Sequence, residues 1–133
     1  MGIVPLASHS CCRGLCGHVR NLTDEQLKAL FSASGYVGLN FYPWFLSDDG
    51  HCTLDTLADH LLHMLELGGE GMIGFGSDFD GIEAKVPGLE HPGHLPALFE
   101  TLERRGITGA VLEGIAGNNL LAYYDRFDPK ASL

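Results

Sequence analysis

What this 133-residue sequence lacks narrows its function before what it contains. Cations are scarce: 8 Lys and Arg stand against 17 Asp and Glu, a net charge of −9. Nucleic-acid binding needs a basic surface that displaces counterions from phosphates, so nucleic acid is excluded as a partner. No apolar run approaches the about 20 residues that span a bilayer. The start, Met1-Gly-Ile-Val-Pro-Leu6, has no basic region of the kind that opens a signal peptide. A glycine follows Met1, but Leu6 stands where a myristoylation signal places Ser or Thr. No membrane partner is expected, and the expected location is cytoplasmic. The four cysteines, three of them between Cys11 and Cys16, are too few and too crowded for a secreted disulfide scaffold, which favours reduced thiols. Internal repeats, low-complexity tracts and flexible linkers are also missing, so the length reads as one domain.

What is present is an alternation of strand-like and helical patterns. Ile3 to Ala7 is a short apolar run. Thr23 followed by Gln26 spells a capping box, with Leu27, Leu30 and Phe31 on one face of the helix that follows. Tyr36 to Tyr42 reads as a buried strand, rich in aromatic and β-branched residues. Thr53 caps a second helix with apolar residues at Leu54, Leu57, Ala58, Leu61 and Leu65, stopped by Gly68-Gly69. Gly71 to Ser77 is a third strand, and Leu95, Leu98, Phe99 and Leu102 mark a helix ending at Gly106. Val111 to Phe127 reads as helical, with a break near Gly117-Asn118-Asn119. The order β, α, β, α, β, α, α calls for an α/β fold with a parallel sheet covered by helices. Sites in such folds gather at the carboxyl ends of strands. Here those ends are Ser8-His9-Ser10, Asn40-Phe41-Tyr42 and Asp78-Phe79-Asp80, which line up as one rim.

Several side chains could carry chemistry on that rim. A structural zinc site draws ligand pairs from separate turns, whereas Cys11 and Cys12 are adjacent and diverge in a regular backbone. Cys11, Cys12 and Cys16 are therefore read as packing residues, and His9, at a strand end, as the better metal candidate. His60 and His63 are spaced i, i+3 on the second helix. The apolar stripe is assigned to the opposite face, so both are expected to face solvent. His51, His91 and His94 sit in polar loops, and His18 near the rim is ambiguous. Asp78-x-Asp80-Gly81 lacks the further acidic positions and helix–loop–helix setting of a calcium loop. Asp80 reads as a turn cap, and Asp78 as a carboxylate suited to acid/base work or to holding an ammonium. Arg20, in a loop beside the rim, could clamp a carboxylate through its two-pronged guanidinium.

The ordered series "SHS", "RN", "LTDEQ", "VGLNFYP", "TLADHLLHM", "GFGSDFDGI" and "GLEHPGHLPAL" resembles the renal (membrane) dipeptidase family of metallopeptidases, from about Val4 to about Tyr124. The resemblance implies a (β/α)8 TIM-type barrel, a binuclear zinc centre as cofactor, and hydrolysis of dipeptides. Carried over by motif, it makes His9 a zinc ligand, Arg20 the partner of the substrate carboxylate, and Asp78 a substrate contact and proton donor. Tyr42 would line the pocket. The family's His-x-Asp element, its middle-strand Glu and the His before "SHS" have no counterpart. The chain thus resembles about three strand–helix units, the sixth to eighth strands, as a single partial barrel domain over residues 1–133.

Two readings follow: a zinc-dependent dipeptidase, here as a fragment lacking several ligands, or a non-catalytic fragment or interaction protein that keeps only part of the barrel. With three units alone, the inward side chains of Ile3, Leu6, Val37, Leu39, Ile73 and Phe75, or their alternates, are expected to lack an opposing half. A homo-oligomer or a complementary N-terminal barrel half is the expected remedy, beside the dipeptide substrate itself.

Overall fold

The computed structural model describes residues 6–77 and 86–127. Three parallel strands, β1 (Leu6–Ser10), β2 (Tyr36–Asn40) and β3 (Ile73–Ser77), pair in the order β1-β2-β3. Leu6 lies opposite Tyr36, and Val37 and Leu39 lie opposite Ile73 and Phe75. The α/β class expected from the alternation is present. The first strand begins at Leu6, so Ile3 lies outside the described residues.

Helix α1 (Asp24–Ser32) starts at the expected capping box: Gln26 N–H donates to the Thr23 hydroxyl at 3.1 Å, and Thr23 N–H donates to the Gln26 carboxamide oxygen at 2.9 Å. Both donors would otherwise be orphaned at the helix start. Helix α2 (Pro43–Leu46) was not expected, because Pro-Trp-Phe-Leu continues an aromatic run that reads as strand. Helix α3 (Leu54–Glu66) is capped at Thr53, whose N–H donates to the Thr56 hydroxyl at 3.0 Å. Helices α4 (Leu95–Arg104), α5 (Gly109–Glu113) and α6 (Asn119–Phe127) follow, with a π-turn (Gly114–Asn118) at the expected break.

The core lies between the sheet and helices α1, α3 and α4. Val37, Leu39, Ile73, Leu27, Leu57, Leu61, Met64, Leu98 and Leu102 are all fully buried in it. This corrects one expectation: Val37, Leu39 and Ile73 find their packing within the chain, while Leu6 remains half exposed. Arg104 on Asp55, and Arg105 bridging Asp55 and Asp59, tie the end of α4 to α3 at the surface, where such pairs add little. Helix α6 lies across the amino ends of the strands. Asn119 donates to the Ile73 carbonyl at 2.9 Å, and the Tyr123 ring packs tilted against Tyr36 at 5.9 Å. That leaves the carboxyl ends of the sheet for a site.

Candidate functional site

Two segments build a wall at the carboxyl ends of β1 and β2: residues 11–22, and α2 with Tyr42 before it. The first is braced by its own backbone. Arg13 N–H donates to Leu22 O and Leu22 N–H to Cys11 O, while the Arg13 guanidinium donates to the Val19 and Asn21 carbonyls. This fixes the path of Val19 and Arg20 without a regular element.

The second segment is a one-turn helix, whose terminal carbonyls have no partner within it. Each is met from outside. The Cys16 thiol donates to Trp44 O at 3.2 Å, the Asn21 amide to Phe45 O at 2.7 Å, and His60 Nε2 lies 2.8 Å from Leu46 O. Ser47 N–H takes the fourth, Pro43 O. The Asp48 carboxylate accepts from Gly17 N–H at 2.8 Å, closing the seam. The 11–22 segment and α2 are thereby one unit.

At its centre is the Phe45 ring. The His18 ring packs tilted against it at 4.5 Å, Tyr42 meets it edge-on at 4.9 Å, and the Arg20 guanidinium lies 5.9 Å from its centroid. Arg20 is exposed and makes no ion pair with any described residue. Two residues singled out from the sequence, Arg20 and Tyr42, thus share one aromatic platform. His18, ambiguous in the sequence, joins them. His9 lies in β1 but its side chain is outside the described part, and Asp78 and Asp80 lie outside the described residues.

The strand ends are linked as well. The Cys11 thiol donates to the Asn40 carbonyl at 3.1 Å, and the Asn40 side-chain oxygen accepts from Tyr42 N–H at 2.7 Å. Asn40 Nδ2 and Asn21 Oδ1 are buried without a hydrogen-bond partner among the described residues. The cysteines pack as buried, unbridged thiols. Burial pushes Cys12 up to about 12 and Cys52 up to about 11, and raises Cys11 and Cys16 as well, so all are held as neutral thiols.

The reading of His60 is corrected. It is fully buried, with Nδ1 accepting from Cys12 N–H at 3.1 Å and Nε2 on Leu46 O. At about 100° per residue it falls about 40° from Met64 and about 60° from Leu57, at the edge of the apolar arc rather than opposite it. His63 is partly exposed and binds Asp24 Oδ1 at 2.8 Å. The His91 and His94 rings meet at a tilt, 3.9 Å apart, before α4.

The sequence profile of Membrane dipeptidase (Peptidase family M19) matches residues 3–126. An uncharacterized dipeptidase of Schizosaccharomyces pombe is 40% identical over 116 residues, 86% of this chain and 28% of its own length. A dipeptidase of Claviceps purpurea is 36% identical over 115 residues, 86% of this chain and 27% of its own. A crystal structure of a metallopeptidase from Rhodobacter sphaeroides, bound to a phosphinate mimic of the dipeptide L-Ala-D-Ala, aligns with a TM-score of 0.86 at 32% identity. It matches 91% of this chain over 35% of its own. The chain therefore spans less than a third of the length of these curated relatives. Because the profile runs along nearly the whole sequence, this chain belongs to the membrane dipeptidase family.

Proposed function

We propose that residues 1–133 form one partial domain, the last three strand–helix units of a (β/α)8 barrel, and that they supply the carboxylate-binding wall of a dipeptidase site. The observation that carries this reading is the exposed Arg20 guanidinium, without an ion pair among the described residues and held with Tyr42 around Phe45 at the carboxyl end of the sheet. A planar guanidinium meets a carboxylate through two parallel hydrogen bonds. A fixed cation at one end of the pocket makes peptide length a specificity determinant, since only a dipeptide places both its scissile bond and its carboxylate correctly. The dipeptide mimic bound by the Rhodobacter sphaeroides relative supports this substrate class.

Zinc is the metal that the family implies, and His9 the ligand this chain would offer. The described donor set does not fit a binuclear centre. Among the described residues no three His, Cys, Asp or Glu side chains come together, and Cys11, Cys12 and Cys16 direct their thiols to backbone carbonyls. What the chain's own groups do is bind and orient: Arg20 fixes the carboxylate, Tyr42 bounds the pocket, and Asp78 delivers a proton to the amine nitrogen as the C–N bond breaks.

The test is a chimaera in which residues 3–126 replace the matching segment of the Rhodobacter sphaeroides metallopeptidase, assayed with zinc beside the chain alone. The chimaera should hydrolyse a dipeptide but not its C-terminal amide, and the chain alone should be inactive. Arg20→Ala should lower kcat/KM on the dipeptide roughly 10²–10⁴-fold, as removal of a positioned polar group does, without loss of metal. Equal rates on dipeptide and amide would remove Arg20 from the role. A folded, zinc-loaded but inactive chimaera would favour the non-catalytic reading.

A further inference from the structure

The seam between the 11–22 segment and α2 passes through one titratable side chain. We propose that His60 is a positioning residue for the candidate site: its neutral imidazole clamps the Cys12 end of the Arg20 segment to the last carbonyl of α2, and protonation opens the clamp. The link to substrate rests on the reading of Arg20 and Tyr42 given above; the clamp itself does not.

The geometry fixes the ring's proton. Nδ1 faces a backbone N–H, Cys12, which can only donate, at 3.1 Å. Nε2 faces a backbone carbonyl, Leu46, which can only accept, at 2.8 Å. Neither partner can reverse its role, so the ring must be the neutral tautomer with its hydrogen on Nε2. The Cys12 thiol adds a contact to His60's own carbonyl at 3.6 Å. Adding a proton at Nδ1 would set two N–H groups head to head inside a fully buried site.

The consequence reaches the site because both tethered segments carry it. Cys12 begins the stretch that presents His18 and Arg20, and Leu46 ends the helix that presents Phe45. The neighbouring ionisable groups do not replace the clamp. On α3, Asp59 binds Arg105 and His63 binds Asp24 of α1. After α2, Asp48 accepts from Gly17 N–H, and Asp49 accepts from the Ser47 hydroxyl and His51 N–H. The cleft beside His60, lined by Leu15, Leu46, Asp48, Asp49 and Asp59, therefore has its carboxylates engaged elsewhere. Desolvation is the largest influence on the ring and lowers its affinity for protons below the ordinary 6.5, against weaker opposing pulls from Leu46 O and Asp59. The clamp is thus complete above pH 6.5 and opens as pH falls.

The chain has one tryptophan, Trp44, two residues before the Leu46 carbonyl, and it reports on this seam without substrate. In the intact chain, long-range ¹H–¹⁵N spectra of labelled histidine should show His60 protonated on Nε2 alone. Acid titration should shift Trp44 fluorescence with a midpoint below 6.5, coincident with His60 protonation, while far-UV circular dichroism stays constant. His60→Gln should abolish that shift, and His63→Asn should keep it. In the active chimaera, the acid limb of dipeptide kcat/KM should follow the same midpoint through KM. A hydrogen on Nδ1, a His60 titration that leaves Trp44 unmoved, or dichroism lost at the same midpoint would each overturn the proposal; the spectra need no variant to fold. Inactivity of the chimaera leaves these readouts intact, so the two readings fail separately.

Discussion

The Asn21 side chain offers the sharpest test of what holds the wall together. It is 1% exposed and its Nδ2 donates to Cys16 O at 3.0 Å and to Phe45 O at 2.7 Å, while its Oδ1 has no partner among the described residues. Asn21→Ala removes two neutral hydrogen bonds, each about 0.5–1.5 kcal/mol net, and strands two carbonyls. The expected loss is about 1–3 kcal/mol. Asn21→Asp keeps the volume but turns the donor into an acceptor facing both carbonyls, so it should lose more, about 2–4 kcal/mol. Urea unfolding followed by Trp44 fluorescence, at fixed protein concentration, reads both as shifts in midpoint at constant slope. If Asn21→Asp were as stable as Asn21→Ala, volume rather than donation would be the cause, and the seam described here would be wrong.

Other expectations are simpler. A β-carbon at Gly74 would collide with the Tyr36 hydroxyl and lie 3.1 Å from Ile115 O, so Gly74→Ala should destabilise by about 1–3 kcal/mol in thermal or urea melts, and Tyr36→Phe should relieve part of it. The buried, neutral thiols should react slowly with a disulfide reagent at pH 8 and promptly in denaturant; fast native reaction of Cys12 would contradict its burial. Replacing all four cysteines should leave the metal content of a zinc-binding assembly unchanged, whereas His9→Ala should lower it. Sedimentation of the chain alone should show concentration-dependent association, because β1 and β3 each pair on one side only among the described residues and Leu6, Trp44, Leu121 and Tyr124 are exposed. A monomer at every concentration would count against it.

Much of the architecture was legible because local physics dictates it. The Thr23/Gln26 reciprocal cap, the glycine stop after α3 and the break before α6 each follow from a few neighbouring residues. α2 was hidden because four residues carry no period, and its helical turn depends on donors from Cys16, Asn21 and His60, all distant in sequence. The role of His60 was hidden for a related reason. A polar residue on the edge of an apolar arc reads as solvent-facing until its two backbone partners, 48 and 14 residues away, are known. Of the candidate site, the meeting of Arg20 and Tyr42 on one rim was visible in the strand-end pattern. The Phe45 platform between them was not, since it needed α2.

The sheet's strands stand in the same order as they occur in the chain. Each new strand therefore docks beside the one delivered just before it, with loop closure limited to one intervening helix-bearing segment, and the entropic barrier to each addition stays small. Assembly can then proceed as a zipper that lengthens at one edge. β2, with all five residues buried, is sealed only when β3 arrives. The kinetic commitment point on the growing polypeptide should accordingly fall after Ser77 has cleared the ribosome, and arrested nascent chains shorter than this should remain protease-sensitive throughout β2.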